Sequence, residues 1–249
     1  MKIVATICVR MGSSRLYGKV LRKILGKPLL FYLVERVKLS KNIDEIVIAT
    51  SINKENDVIE EFCNEHRLLC YRGPEDDVLG RILQALEWRK ADVGVEIFGD
   101  CPLIDPKIID LIIEDFINSY DTIDFLSNDL KTTYPPGMEV EVFKLAALKD
   151  ADSRTNDLSI REHGTLFIRQ NPQLYRIKNI EAPVKYRYPD IELEVDTEED
   201  FTVISEIFKY FNGRLDFTLD DILNFIKSRP DLVSMNNQIA RKWRKFRND

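Results

Sequence analysis

Predominantly apolar runs of strand length alternate with amphipathic stretches along the first 119 residues. The apolar runs occupy 3–9, 45–51, 68–71 and 92–98. After each run, apolar residues recur at the three- and four-residue spacing of a helix with one buried face. Four strands alternating with four helices predict an open, mainly parallel α/β sheet flanked by helices, with right-handed crossovers.

Beyond Ser119 the alternation becomes irregular. We expect strands at 124–127, 138–143, 174–180 and 191–195, and helices over 159–169 and after Thr197 and Thr218. Pro230 should end the last regular helix, and the cations between 241 and 247 should form the solvated face of a terminal helix. No repeat or linker divides the chain, so we predict a single domain, 1–249, with a mixed second half.

Small, hydroxyl-bearing and cationic side chains crowd the loop after the first strand. They are Arg10, Gly12, Ser13, Ser14, Arg15, Gly18 and Lys19. Glycine lets the backbone approach a ligand, serine offers hydroxyl and N–H groups, and the cations attract phosphate. The patterns GxxxxGK[ST] and GxGxxG are both absent. The loop is therefore a candidate for phosphate binding by another pattern; the alternative is a tight turn with solvated cations.

Other polar features follow the predicted strands. Ligands of open α/β sheets bind beyond the carboxyl ends of the strands, where the Thr50–Ser51 turn, the Arg72 loop and Asp100 are expected. Asp100 and Asp196 together would suit Mg²⁺, which uses one or two carboxylates plus substrate phosphates. The alternative is that both are helix N-caps. For Asp196 the metal site and the N-cap are about equally well supported. For Asp100 a site is favoured, because Cys101 and Pro102 delay the start of the next helix.

Composition narrows the class of protein. The chain has 249 residues, 44% of them hydrophobic and 31% charged, and a formal net charge of −6, which is typical of a soluble enzyme and unfavourable for nucleic-acid binding. No apolar run of spanning length or signal peptide is present, so we expect a cytoplasmic protein with no membrane partner. Four cysteines without CxxC spacing suggest free thiols, and two histidines make a histidine-rich metal site improbable.

Seven segments together resemble a known family. They read ATICVRMGSSRLYGKVL, IDEIVIATS, RGPEDDVLGR, GDCPLIDP, TYPPGMEVEVF, IREHGTLFIR and VDTEEDF. The chain is similar in these segments to the cytidylyltransferases that include the acylneuraminate and 3-deoxy-manno-octulosonate enzymes, and most closely to the spore-coat polysaccharide biosynthesis type. The segments extend over about four fifths of the chain, and as a set they are highly specific.

The resemblance implies a Rossmann-like nucleotidyltransferase fold, a CTP-dependent reaction and a homodimer. An acceptor oxygen would attack the α-phosphate of CTP, so that CMP is attached and pyrophosphate leaves. In family terms the triphosphate loop is Arg10, Gly12, Ser13, Ser14, Arg15 and Lys19, with Arg10, Arg15, Lys19 and Asp100 as the catalytic set. Asp100 and Asp196 match the metal aspartates for Mg²⁺. Thr50, Ser51 and Arg72 would surround the base and ribose, and Asp77 completes the nucleotide-binding set.

The acceptor side is expected to use Tyr134, Glu139, Glu141, Arg161 and His163. Arg161 is a candidate for gripping a carboxylate or phosphate, and His163 for orienting or deprotonating a hydroxyl. Alternatively, Arg161 is surface charge, His163 is structural, and Glu139 and Glu141 form the wet face of a strand. We accordingly divide the single domain into three parts. Residues 1–119 are expected to bind nucleotide, residues 120–190 to form the substrate and dimerisation lobe, and residues 191–249 to hold the metal-binding strand and the C-terminal helices.

The sequence also departs from the family pattern. Tyr17 replaces a proline that is usual in the loop, and Cys8 stands where glutamine or alanine is common.

We expect CMP transfer to a nonulosonic-type sugar acid or a related small acidic acceptor in surface-glycan synthesis. A nucleotidyltransferase using another NTP and a phosphorylated acceptor is the alternative enzyme, because the loop does not read the base. A third hypothesis is a nucleotide-binding regulatory protein that has lost catalytic activity. The presence of Lys19, Asp100 and Asp196 argues against it.

Overall fold

The structure is a computed structural model that describes residues 1–247. Its strands are β1 (Ile3–Cys8), β2 (Lys23–Ile24), β3 (Lys27–Pro28), β4 (Glu45–Ser51), β5 (Leu69–Gly73), β6 (Val93–Phe98), β7 (Phe125–Ser127), β8 (Glu141–Lys144) and β9 (Ile177–Asn179). Its helices are α1 (Leu29–Val37), α2 (Asp57–Glu65), α3 (Val78–Trp88), α4 (Pro106–Asn118), α5 (Leu145–Arg154), α6 (Leu158–Arg161), α7 (Leu166–Gln170), α8 (Glu198–Tyr210), α9 (Leu219–Ser228) and α10 (Pro230–Asn236).

One seven-stranded sheet, in the order β5-β4-β1-β6-β8-β7-β9, runs through the molecule. The strands β5, β4, β1 and β6 pair in parallel, as the alternating pattern predicts. β8 then pairs antiparallel with both β6 and β7, and β7 pairs in parallel with β9. The prediction of a mainly parallel sheet flanked by helices is confirmed, and the strands of the 120–190 region extend that same sheet.

Local signals in the sequence account for many of the element boundaries. β1 is buried along nearly its whole length, as expected for a central parallel strand with helices on both faces. Asp105 caps α4 by accepting a hydrogen bond from the backbone N–H of Lys107. Thr197 and Thr218 each form a capping box with the aspartate three residues later, which starts α8 and α9.

The predicted helix over 159–169 is interrupted. α6 ends at Arg161 and α7 begins at Leu166. Between them the backbone of Gly164 packs so closely that a Cβ atom there would lie 2.4 Å from Cδ1 of Ile82 and 2.6 Å from Oε2 of Glu96. This close approach requires glycine at that point of the chain.

Three predicted strands are shorter than expected or absent. The strand expected at 174–180 is reduced to β9 at Ile177–Asn179. Over 138–143 only the end becomes β8, because the side chain of Asn128 bonds the carbonyl of Met138 and the N–H of Val140 in place of a partner strand. Over 191–195 the backbone makes isolated bonds, from Leu193 N–H to the Pro136 carbonyl and from Val195 N–H to the Asp100 carbonyl. Those bonds do not form a ladder, but they fix the segment that leads to Asp196.

The C-terminal predictions are confirmed in one respect and wrong in two. The helix that begins after Thr218 ends at Ser228, just before Pro230, as predicted, but it is not the last helix, because Pro230 occupies the first position of α10, where a proline lacks no hydrogen bond. The segment after α10 is not a terminal helix with a solvated basic face. It carries a 3-10 turn at Lys242–Phe246, and the side chains of Arg241 and Arg247 are 0% and 6% exposed.

The cysteines agree with the prediction of free thiols. Cys63 and Cys101 are buried, Cys8 and Cys70 are partly buried, and all four are unpaired. None of the helices within residues 1–247 combines the length and the apolar character that crossing a bilayer requires.

Candidate active site

The loop that follows β1 is closed on itself. The carbonyl of Met11 accepts hydrogen bonds from the N–H groups of Ser13 and Gly18, and Asn56 accepts a bond from the Met11 N–H. Gly18 has a φ of +65°, a left-handed conformation that glycine adopts without strain, and it precedes a 3-10 turn at Lys19–Leu21. The turn directs Lys19 toward the end of the sheet.

Lys19 joins the two candidate aspartates. Its Nζ lies 3.1 Å from Oδ2 of Asp100, 3.0 Å from Oδ1 of Asp196 and 2.6 Å from the Val195 carbonyl. Burial by itself lowers the pKa of this ammonium, but the two carboxylates outweigh burial and raise the pKa above its ordinary value. Two acidic side chains that are far apart in sequence therefore lie within reach of one cation.

The other cations of the loop also face acidic partners. Arg15 donates to Oδ2 of Asp196 at 2.5 Å, and Arg10 donates to Glu75 at 3.0 Å with Glu162 at 3.7 Å. A cavity of about 500 Å³ opens beside them and is here named the loop cavity. Its lining includes Arg10, Gly12, Ser13, Ser14, Arg15, Lys19, Asp100 and Asp196. The loop and the two aspartates thus surround one space.

A second cavity, of about 400 Å³, shares Arg10, Arg15, Asp100 and Asp196 with the first. Its inner wall is rich in carboxylates, and it is here named the carboxylate cavity. The wall comprises Glu96, Asp129, Glu139, Glu141 and Glu194, together with Arg169 and the aromatic rings of His163, Trp243 and Phe246. The two cavities therefore form one cleft. They meet at the loop and the two aspartates, and this junction is here named the waist.

Glu139 and Glu141 are not the wet face of a strand, which corrects one of the readings above. They are only 5% and 1% exposed. Glu139 accepts bonds from the Gly137 N–H and from Arg247, and Glu141 accepts from Thr165 and Arg169. Burial raises the pKa of Glu141 to about 7 against the opposing charge of Arg169. The pair belongs to the buried wall of the cleft.

Residues 240–247, here named the C-terminal arm, close one side of the cleft. Arg241 makes two 2.8 Å bonds to the carboxylate of Asp200 on α8. The indole of Trp243 donates to Glu194 at 2.6 Å, and the guanidinium of Arg247 lies 3.8 Å from the centre of the Trp243 ring. The prediction of a solvated basic face is wrong here because Arg241 neutralises Asp200 and Arg247 neutralises Glu139 of the inner wall. Composition alone does not reveal these partners.

Some of the residues predicted to bind nucleotide lie away from the cleft. Thr50 and Ser51 are 0% exposed, so their side chains have no surface for a base or ribose. Arg72 belongs to β5, and it is engaged by Glu60 at 2.7 Å and by the Ser51 carbonyl at 3.0 Å. Asp77 caps α3 through the Gly80 N–H. None of these four residues lines either cavity, so the structure does not bring them together with the loop and the two aspartates.

Two predicted acceptor residues are likewise engaged elsewhere. Arg161 donates to Asp77 at 2.8 Å and to Asp152 at 2.6 Å, and it does not line either cavity. Tyr134 is 4% exposed and packs near the ring of Tyr186. Arg161 therefore ties α6 to α3, and with its side chain 12% exposed it is not the surface charge of the alternative interpretation either.

His163 does line the carboxylate cavity, with its ring centre 4.4 Å from that of Phe246. Burial lowers its pKa below the ordinary 6.5; Glu162 opposes the shift, and the cations Lys245, Arg169 and Arg10 add to it. At pH 7 the imidazole is accordingly neutral and able to accept a proton.

We expect the ring protons of His163 to titrate below pH 6.5 in an NMR experiment. Because the unfolded chain takes up this proton first, the corresponding stability is intact above pH 6.5 and is lost as the pH falls from there through the pKa of the folded state. Phe246→Ala, which uncovers the ring, should move the midpoint upward. A midpoint at or above 6.5 in the wild type contradicts the description of His163 as buried and neutral.

Sequence reasoning missed several residues of the cleft. Glu96 is the one charged residue of the strand VGVEIF, and a charge inside an apolar central strand is a signal that was available. Asp129, Arg169 and Glu194 carry no comparable signal, because only the tertiary fold brings them to one wall. The C-terminal arm is recognisable in the sequence as a run of basic residues, but such a run predicts a solvated surface and not a wall of the cleft.

The aspartate pair fits a hard divalent cation. Mg²⁺ binds oxygen ligands and commonly takes one or two carboxylates, with substrate phosphates and water completing its shell. Asp100 and Asp196 offer such oxygens beside the loop that follows β1. Within residues 1–247 no group of three or more His, Cys, Asp or Glu side chains is arranged to hold a metal. A resident ion would therefore rely on phosphate oxygens.

Comparison with known proteins identifies relatives over most of the chain. Residues 4–227 match the sequence model described as cytidylyltransferase. The spore coat polysaccharide biosynthesis protein SpsF of Bacillus subtilis is 34% identical over 238 residues, which cover 93% of this chain and 97% of that protein. The solved structure of a cytidylyltransferase from Leptospira borgpetersenii superposes with a TM-score of 0.90 at 30% identity, covering 97% of this chain and all of the other.

A more distant structure shares the fold. It is that of CMP:2-keto-3-deoxy-manno-octonic acid synthetase complexed with CTP, with a TM-score of 0.64 and 16% identity, covering 85% of this chain and all of the other.

Proposed function

The chain belongs to the cytidylyltransferase family and is a nucleotidyltransferase, and from this premise we propose that it transfers CMP from CTP to a sugar acid or a related small acidic acceptor. Pyrophosphate is the second product, and the reaction serves the synthesis of a surface polysaccharide. The relationship to the Bacillus spore-coat protein supports that pathway class. The proposal goes beyond family membership in naming both the acceptor class and the use of the product.

The observation that carries the proposal is the convergence of Lys19, Asp100 and Asp196 at the waist between the two cavities. A triphosphate held by the loop would have its phosphate chain at this waist. An acceptor in the carboxylate cavity would then approach the α-phosphate from the opposite side. Nucleotidyl transfer needs mainly such positioning, together with neutralisation of phosphate charge.

Each group of the waist has a chemical role in this proposal. The loop N–H groups and the hydroxyls of Ser13 and Ser14 bind phosphate oxygens, and Arg15 and Lys19 supply positive charge. Asp100 and Asp196 would hold Mg²⁺, which when bound neutralises phosphate charge. The acceptor oxygen forms a bond to the α-phosphorus while the bond to the pyrophosphate oxygen breaks. His163, neutral at pH 7, is a candidate to receive the acceptor proton.

Cations near the mouth of the carboxylate cavity support an acidic acceptor. Arg10 and Lys242 line both cavities, so either can reach an acidic group close to the reacting phosphate. The opposite, inner wall carries the carboxylates, which accept hydrogen bonds from hydroxyl groups of a sugar. The homodimer and the cytoplasmic location implied by the sequence remain predictions.

The test is a pyrophosphate-release screen of CTP, UTP, GTP and ATP, with Mg²⁺, against a panel of acceptors. The panel contains 3-deoxy-manno-octulosonate, an acylneuraminate, their variants with a free amine, and sugar 1-phosphates. We expect turnover only with CTP and a sugar acid. Turnover with another nucleotide and a sugar phosphate would favour the alternative enzyme, and CTP binding without turnover on any acceptor would indicate a regulator.

A further inference from the structure

One cation of the cleft comes from the C-terminal arm. Lys242 lines both cavities, and its Nζ donates to Oγ of Ser14 at 3.4 Å. Ser14 lines the loop cavity and not the carboxylate cavity, so the ammonium group of Lys242 lies on the loop side of the waist. The segment that matches the family model ends at residue 227. The arm therefore adds to the loop cavity a positive charge from outside the matched segment.

Buried contacts on both sides of Lys242 fix its place. Arg241 is 0% exposed and makes its two 2.8 Å bonds to Asp200. On the other side the indole of Trp243 donates to Glu194 at 2.6 Å. A residue between two anchored neighbours has little backbone freedom, and a site on such a support keeps its geometry. Lys242 is consequently held over the cleft, while its side chain remains exposed.

The same anchor reaches the waist. The Oδ2 atom of Asp200 that Arg241 binds also accepts the N–H of Asp196 at 3.0 Å. From the loop, Arg15 donates to the Ala240 carbonyl of the arm at 3.4 Å. The arm, the loop and one of the two candidate metal aspartates are thus directly connected. The fold itself therefore sets how far the arm lies from the waist.

The other cations of the loop cavity are already paired. Arg10, Arg15 and Lys19 each have a carboxylate partner within 3.1 Å. Within residues 1–247 the bond from Lys242 to Ser14 is the one interaction of that ammonium group. At 3.4 Å it is a weak hydrogen bond, and it uses one of three donors. Of the four cations that line this cavity in the described chain, Lys242 is the one whose charge no carboxylate of the protein neutralises.

We propose that Lys242 binds the β- and γ-phosphates of the nucleotide, which leave as pyrophosphate. This inference rests on the proposed function and deepens it by assigning a phosphate-binding residue beyond the loop. A triphosphate whose α-phosphate lies at the waist extends its remaining phosphates into the loop cavity, toward the ammonium group. Arg10 is then left to bind the acidic group of the acceptor.

The assigned role is electrostatic. The acceptor oxygen forms its bond to the α-phosphorus, the bond from that phosphorus to the bridging oxygen breaks, and the electron pair stays on the departing pyrophosphate. The Lys242 ammonium keeps its proton and offsets the negative charge that grows on the leaving group. It contributes to binding before the reaction and contributes more as the bond breaks, so both Kd and kcat should depend on it.

The experiment measures binding and turnover on the full-length protein with Mg²⁺. Calorimetric titrations with CTP, CMP and inorganic pyrophosphate compare the wild type with Lys242→Gln and Lys242→Arg. Loss of the charged contact should raise Kd for CTP and pyrophosphate about tenfold and leave Kd for CMP within about twofold. Lys242→Gln should also lower kcat about tenfold with the best acceptor. Lys242→Arg, which keeps the charge, should recover most of both.

Lys245→Gln is the matched control. Lys245 is an exposed lysine of the same arm that lines neither cavity, so the variant should have wild-type Kd values and kcat. All of these side chains are exposed, and every variant should therefore melt with the wild type. A Lys242→Gln protein that unfolds would assign the lysine a structural role and overturn the inference.

The outcomes separate this inference from the proposed function. Wild-type Kd for CTP in folded Lys242→Gln overturns the inference and leaves the proposed function intact. Equal weakening of CTP and CMP overturns it as well, because the contact would then not be to the outer phosphates. If the wild type binds CTP but turns over no acceptor, the proposed function fails, while the Kd comparison still decides whether Lys242 binds phosphate. A wild type that does not bind CTP overturns both.

Discussion

Replacing Asp100 with asparagine is expected to lower kcat for pyrophosphate release by about a thousandfold while leaving the fold intact. The side chain is 30% exposed at the waist of the cleft and accepts a hydrogen bond from Lys19. Asparagine keeps the shape but removes the charge that would hold Mg²⁺ and balance the lysine. The measurement is a steady-state assay with CTP, Mg²⁺ and the best acceptor of the panel.

Asp121→Asn serves as the control, because Asp121 is an exposed aspartate in the turn after α4 and does not line the cleft. It should have wild-type kcat and an unchanged melting temperature. Near-normal turnover of Asp100→Asn in the presence of Mg²⁺ and CTP would remove Asp100 from the catalytic set, and with it the reading of the aspartate pair as the metal site.

Replacing Arg241 with methionine is expected to lower the free energy of unfolding by about 3 to 5 kcal/mol. Arg241 is fully buried and makes both bonds to Asp200, and Glu192 lies 3.4 Å from its Nε. The variant leaves the Asp200 charge buried without its cation. For a chain of this size the melting temperature should fall by about 10 °C, as thermal unfolding followed by circular dichroism would detect.

Arg244→Met is the matched control in the same arm. The Arg244 side chain is 55% exposed and is 3.4 Å from Glu192, so its loss should change stability by less than about 1 kcal/mol. Should Arg241→Met melt no lower than Arg244→Met, the buried ion pairs of the C-terminal arm would not be what holds the arm on the cleft.

Local patterns allowed much of the nucleotide half to be predicted. The apolar run of β1 and the loop with Lys19 are signals contained within a few residues, and outside that half the same holds for the cap Thr197. Short-range hydrogen bonding and burial on both faces of a parallel strand determine such features, so a single sequence reveals them. Placing Asp100 at the end of a strand needed only the order of the elements.

The inner wall could not be predicted in the same way. Its groups pair across long separations, as Trp243 does with Glu194 and Arg247 with Glu139. A run of cations is expected to be solvated unless its carboxylate partners in the folded chain are known. Conversely, the sequence predicts that the residues at the end of β4 are open to a ligand, because no local signal indicates that the side chain of Thr50 is buried. The acceptor half of the cleft depends on the tertiary fold.

The bridge from Lys19 to Asp100 and Asp196 has a consequence for how the protein can be handled. Because the Lys19 ammonium and the Arg15 guanidinium together already balance the two acidic groups, chelators such as EDTA should strip divalent ions without melting the protein. The ion would then enter together with the nucleotide, whose oxygens complete its coordination, rather than ahead of it. Calorimetric titrations should accordingly register Mg²⁺ uptake only once CTP is present.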